Sequence, residues 1–229
     1  MFGQKRVRQP ISLGIYPANT GKGAGSMIDL AKQDNGLWVV TINRPDKANS
    51  LTRDMLIRLT EIVQEAQAAR ALILTGRGKV FSAGADLDEA KAGLAVDPVW
   101  EQLSSAIADL PGLTIAALNG TLAGGANGMA LACDLRIAVP TAKLFYPVMK
   151  LGYLPQPSDP GRLAALVGPS RAKLILMAGQ KITAHEAYHF GLVDQIVEPD
   201  ALFDTAQMLC TDVLAAKPEI AAGIKKMCV

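Results

Sequence analysis

Histidine, cysteine and net charge are all scarce in this chain, and each shortage removes a class of function. Two histidines among 229 residues leave no third imidazole for a three-histidine metal centre. Three cysteines, Cys133, Cys210 and Cys228, lie far apart without paired spacing, which argues against a disulfide framework and for a reducing, cytoplasmic compartment. The formal charge of +2 is too small to imply nucleic acid as a partner, and it does not oppose a polyanionic small molecule. No uninterrupted apolar run approaches the roughly 20 residues of a spanning helix, so no membrane insertion is expected. What remains is an ordinary globular composition, 50% hydrophobic and 19% charged, in a chain long enough to bury a substantial core.

The first 26 residues lack acid altogether. They carry Lys5, Arg6, Arg8 and Lys22 among scattered glycines and prolines, without the compact apolar centre of a secretory signal. A flexible or appended leader is expected there, with a transit peptide as the alternative. Its GKGAG is no phosphate loop, because the lysine precedes the glycines and no strand leads in.

From Leu37 the pattern becomes regular. LWVVTIN reads as a strand, and Leu51, Met55, Leu56, Leu59, Ile62 and Val63 recur at the spacing of an amphipathic helix. ALILTG is a buried strand, a helix follows near 99–110, and LTIAAL, DLRIAVP and AKLFY are further strands. After Pro155 the chain turns helical, with start signals at Ser158–Asp159–Pro160, Ser170, Thr183 and Asp200. Alternating strands and helices predict an α/β fold with parallel pairing, in which ligands bind at loops leaving the carboxyl ends of strands. Two such loops contain clustered small residues, FSAGAD and NGTLAGGANG. Main-chain N–H groups at tight turns before helices are ready-made donors, and two of them converging make an oxyanion hole. The alternative is that these glycines only permit close packing of loop on helix.

INRPDKANSL, FSAGADL, ALNGTLAGGANGMALACDLRIA, GPSRAKLILMAG and ITAHEAYHFGLVDQIV stand in the order and spacing of the crotonase, or enoyl-CoA hydratase/isomerase, superfamily, which residues 27–229 resemble throughout. The resemblance implies a spiral of ββα units with a helical C-terminal region, divided here as 27–195 and 196–229, the latter shorter than usual. It implies a homotrimer or hexamer, and an acyl-CoA thioester as substrate. Coenzyme A is then part of the substrate, and no separate cofactor or metal is called for. By motif the oxyanion amides fall on Ala85 and Gly125, beside Gly124. The coenzyme A segments fall on Lys47 and Ala48, and on Ala83, Asp86 and Leu87; Lys47 is equally well a solvated surface lysine.

Hydratases of that family use two glutamates, and at the matching positions this chain has Gly128 and Val148. Neither can transfer a proton, and general acid–base catalysis contributes typically about 10²–10⁴ in rate. Asp159 is the candidate relocated acid or base, with a helix N-cap as its alternative role. Gln156 stands where some relatives carry aspartate and is a candidate to orient water or a carbonyl. Asn127 and Tyr153 are further candidates for the pocket, while Met149, Tyr153 and Leu154 suggest an apolar floor or simply core. Asp88 and Glu89 read as the first turn of an exposed helix, and Asp134 as a structural hydrogen-bonding residue. An enzyme with lyase or isomerase chemistry through an enolate is expected. A non-catalytic acyl-CoA binder or assembly member of the same fold is the alternative.

HEAYH at 185–189 matches the zinc-protease pattern H-E-x-x-H. Its context reads instead as a capping box from Thr183 to Glu186, on a helix stopped by Gly191.

Overall fold

The computed structural model of the protein describes residues 26–228; all of the expected leader except Ser26 lies outside them. The chain opens with a hairpin, β1 (Ile28–Lys32) antiparallel to β2 (Leu37–Ile42), turned at Gly36 with φ +88°. Helix α1 (Arg53–Glu65) starts where the Thr52 side chain accepts the N–H of Met55 at 3.2 Å, and it buries Met55, Leu56, Leu59, Ile62 and Val63. That is the helical face the periodicity predicts.

A three-part pattern then repeats. Strand β3 (Ala71–Gly76) is followed by short β4 (Val80–Ser82) and by α2 (Leu87–Lys91) and α3 (Val99–Ala108). Strand β5 (Leu113–Leu118) is followed by β6 (Thr121–Ala123) and α4 (Asn127–Ala132). Strand β7 (Leu135–Ala138) is followed by β8 (Lys143–Phe145) and by α5 (Val148–Leu151), α6 (Asp159–Val167) and α7 (Pro169–Leu176). The chain ends through β9 (Ile182–Thr183), α8 (Ala184–Phe190), β10 (Gln195–Ile196), α9 (Leu202–Leu209), α10 (Thr211–Ala215) and α11 (Pro218–Met227).

The long strands form a six-stranded sheet in the order β1-β2-β3-β5-β7-β10, parallel except at β1–β2. The short ones form a second sheet, β4-β6-β8-β9, parallel except at β8–β9. Each repeat thus steps from the first sheet to the second and then into a helix, the ββα unit. All six residues of β3 are buried, as expected of a parallel strand covered on both faces.

Two expectations change. Ser170 lies inside α7, which begins at Pro169, because proline at the first helical position sets the start. The division at residue 195 cuts through β10, which pairs with β7. The helical region therefore follows the sheet from Pro199 onward. Among the described residues no helix is long and apolar enough to cross a membrane.

Candidate active site

The second sheet places two loops side by side. After β4 the chain reaches Gly84 at φ +91°, and after β6 it reaches Gly124 at φ +57°. These two glycines abut. A β-carbon on Gly84 would lie 2.9 Å from the Ala123 carbonyl oxygen and 3.3 Å from the Gly124 α-carbon. Only glycine tolerates both the left-handed backbone and that approach.

Each loop also fixes the plane of one peptide. The Gly84 carbonyl accepts the N–H of Leu51 at 2.8 Å. In a trans peptide this turns the N–H of Ala85 away from Leu51. The Gly124 carbonyl accepts from the Asn127 side-chain amide at 2.8 Å, which turns the N–H of Gly125 the other way. Among the described residues neither the Ala85 nor the Gly125 N–H has a protein acceptor, although both residues are half-buried. Backbone donors in such places are normally paired.

The supporting groups are buried amides and a hydroxyl. Asn49 Nδ2 donates to the carbonyls of Arg77 and Val80 at 2.9 and 2.6 Å, and its Oδ1 accepts the Arg44 N–H at 2.9 Å. Asn119 Nδ2 donates to the carbonyls of Gly78 and Val80, at 2.9 and 3.2 Å. The Ser82 hydroxyl donates to the Asn49 carbonyl and accepts the Gly84 N–H. Ala48 and Asn49 both have positive φ, 50° and 53°, strain held in place by this network.

Beside the Gly125 loop stands Asp159. It is the first residue of α6, with none of its surface exposed. The helix-cap alternative fails: Ser158 is the N-cap and its side chain caps nothing. The Ser158 N–H instead goes to Glu101 Oε2 on α3 at 3.1 Å, and the Ser158 hydroxyl donates to Glu101 Oε1. Asp159 turns inward toward α4. A β-carbon on Gly128 would lie 2.9 Å from its Oδ1 and 3.2 Å from its Oδ2. The carboxylate therefore borders the space where a side chain at 128 would begin. Tyr146, buried between β8 and α5, donates its hydroxyl to Oδ2 at 2.8 Å, while Oδ1 has no protein hydrogen-bond partner among the described residues. Burial pushes the Asp159 carboxyl from its ordinary 3.8 up to about 6, against the pull of the Tyr146 hydroxyl and of Arg162. Burial likewise pushes the Tyr146 phenol well up, reinforced by the neighbouring Asp159 charge.

The wall over Gly125 is Trp100 of α3. A β-carbon on Gly125 would meet its ring atoms at 3.0–3.1 Å, and its indole N–H is tied to the Leu94 carbonyl at 2.8 Å. Val148 is buried at the start of α5.

Other expected site residues are placed as follows. Gln156 is buried, its amide 3.5 Å from the Ala95 carbonyl and its backbone N–H 3.5 Å from the Tyr146 hydroxyl. Lys47 is exposed and makes no side-chain pair among the described residues. Ala48 is half-buried, and its carbonyl accepts the N–H of the exposed Ala83 at 3.0 Å. Asp86 is committed elsewhere: its carboxylate pairs with Arg44 at 2.7 Å and caps α2 at the Asp88 N–H. The Arg44 hydrogen bond holds the Asp86 carboxyl below the usual range. Leu87 is 78% exposed.

Met149, Tyr153 and Leu154 are surface residues, 56%, 39% and 86% exposed, and are not part of the core. Asn127 spans the Gly124 and Phe145 carbonyls, so it shapes the loop. Asp134 holds Thr114 and Lys225. Glu186 accepts the Thr183 N–H at 2.7 Å in a complete capping box, which commits the glutamate of HEAYH to its own helix. Sequence reasoning missed Tyr146, which ends a strand run without any motif, and Trp100, whose role depends on a contact across the fold.

Comparison with known proteins agrees with this architecture. The sequence pattern described as enoyl-CoA hydratase/isomerase matches residues 32–229. YngF of Bacillus subtilis is 39% identical over 204 residues, covering 85% of this chain and 78% of that protein. The 1,2-epoxyphenylacetyl-CoA isomerase of Escherichia coli is 31% identical over 212 residues, covering 87% and 80%. Among solved structures, an enoyl-CoA hydratase from Bacillus anthracis superposes with a TM-score of 0.80 at 31% identity, over 88% of this chain and 81% of that one. With the ββα repeat, the two-sheet topology and the sequence match in agreement, the chain is a crotonase-fold member of the enoyl-CoA hydratase/isomerase family.

Proposed function

We propose that the protein is an acyl-CoA isomerase in which the Ala85 and Gly125 amides hold the thioester oxygen and Asp159 moves the proton. Oδ1 takes a proton from a carbon of the acyl chain. The C–H electron pair passes into the conjugated system and onto the thioester oxygen, as an enolate gripped by the two N–H groups. The protonated carboxyl then returns its proton to a second carbon, and the electron pair moves back to place the double bond anew. Each amide of this kind contributes about 2.7–4 kcal/mol to transition-state stabilisation.

The observation that carries the reading is the buried, half-unpartnered Asp159 carboxylate at the border of Gly128. A glutamate at 128 would crowd that carboxylate, so the site holds one acid–base group there. The other glutamate position is the apolar Val148. One group suffices to take up and return a single proton. Adding water across a double bond is served better by two. An acyl-CoA such as 1,2-epoxyphenylacetyl-CoA, acted on by a relative, belongs to the substrate class to be tried. Lys47, Ala48, Ala83 and Leu87 border the expected path of the coenzyme A moiety. A homotrimer or hexamer in the cytoplasm is the proposed setting.

The test is a panel of enoyl-, 3-hydroxyacyl-, epoxyacyl- and malonyl-type CoA thioesters, each measured for binding and for turnover. Double-bond migration that falls at least about 100-fold in Asp159→Asn, with binding retained, is the expected result. Tight binding with no turnover on any thioester would make the protein a non-catalytic acyl-CoA binder or assembly member. Full activity of the variant would remove Asp159 from the mechanism.

A further inference from the structure

We propose that Tyr146 is the positioning residue of the site, holding Asp159 Oδ2 so that Oδ1 alone meets the substrate. The proposal rests on the reading of Asp159 as the acid–base group. Three features of the hydroxyl carry it. It lies 2.8 Å from Oδ2, the ordinary length of a well-formed hydroxyl hydrogen bond. The Gln156 N–H points at the same phenol oxygen from 3.5 Å. An incoming donor on that side directs the single hydroxyl proton toward the carboxylate. Among the described residues Oδ1 is left as a buried acceptor without a protein partner, free to meet a ligand. Its neighbour is the bare α-carbon of Gly128.

The ring is itself immobilised. Tyr146 is 4% exposed, in the segment joining β8 to α5. Asp159 is fixed from the other side, because Glu101 on α3 holds the Ser158 N–H and hydroxyl at the start of α6. The carboxylate cannot rotate to exchange its oxygens without breaking the Tyr146 bond, so the atom that transfers the proton is defined.

The charged surroundings make the effect measurable. Glu101 on α3 raises the Asp159 carboxyl, whereas Arg162 on α6 and the Tyr146 hydroxyl lower it. Helix α4 has no titratable side chain, Lys150 of α5 is exposed, and Arg171 and Lys173 of α7 are exposed. Removing the hydroxyl therefore takes away a group that favours the ionised form, and the carboxyl must titrate at higher pH.

The experiment compares the pH dependence of kcat/KM in the wild-type protein, Tyr146→Phe and Asp159→Asn. In Tyr146→Phe the acid limb is expected to move up by about one pH unit, with kcat lowered on the order of tenfold and KM within about twofold. Replacing all four tyrosines with 3-fluorotyrosine, a stronger donor of nearly the same size, is expected to move the limb down, and it serves if the phenylalanine variant does not fold. Limbs unmoved in both proteins, with Asp159→Asn inactive, would overturn the role of Tyr146 and leave the acid–base reading intact. An active Asp159→Asn would overturn that reading and this inference with it.

Discussion

A carboxylate sealed from water keeps its proton longer than one in solution, and this sets the pH at which Asp159 would act in the role proposed for it. With its carboxyl pushed up to about 6, a general base is available above that pH and lost below it. The kcat/KM of the wild-type protein should rise with pH through about 6 and level off, and a profile flat across this range would contradict the assignment. The next position to test is Gly125, where an added methyl group faces the Trp100 ring at 3.0–3.1 Å. The ring cannot retreat easily, because its N–H is tied to Leu94. Gly125→Ala should therefore displace the amide and lower kcat on the order of 100-fold, with acyl-CoA affinity changed far less. Equal loss in kcat and in binding would point to general disruption of the loop.

At the scale of elements, the site is a consequence of the step from the first sheet to the second. Strands β4 and β6 are three residues each, and their ends bring Gly84 and Gly124 into contact. Gly84→Ala would force an alanine to φ +91° with its β-carbon 2.9 Å from a carbonyl oxygen. It should destabilise the protein by about 1–3 kcal/mol and reduce turnover, as read by thermal melting and initial rates. The long strands and α1 were legible from hydrophobic runs and 3.6-residue spacing, because burial against a sheet imposes those patterns locally. Of the second sheet only β8 was, as AKLFY; β4 and β6 are three-residue strands beside glycine-containing loops and carry no period, and what pairs them is the neighbouring repeat. Strand β1 escaped for a related reason: IDLAK has one buried residue and is defined by its partner β2. The proposed oxyanion amides of Ala85 and Gly125 come from the motifs of the family resemblance, and Asp159 was a candidate as the nearest carboxylate in its loop. Tyr146 and Trp100 were not, because their significance comes from contacts with residues 13 and 25 positions away, which no local signal encodes.

Over the whole molecule, the buried acid links stability to pH. The folded state binds the Asp159 proton up to about 6, whereas the ordinary carboxyl releases it near 3.8. The stabilisation from this group is complete below about pH 4 and is lost as pH rises through 6, amounting to about 3 kcal/mol across that window. Asp159→Asn does not titrate, so its stability relative to wild type should improve by about that amount between pH 4 and 7. A constant difference in melting temperature would show that Asp159 is not held in a low-dielectric site.

Two peptide N–H groups, those of Ala85 and Gly125, are without acceptors among the described residues and carry the proposed chemistry. The most direct measurement is a crystal structure with a slowly reacting acyl-CoA analogue bound. The thioester oxygen is expected within about 2.7–3.1 Å of both the Ala85 and Gly125 nitrogens, with the reacting carbons against Asp159 Oδ1. A thioester oxygen bound elsewhere, or by only one of these amides, would contradict it.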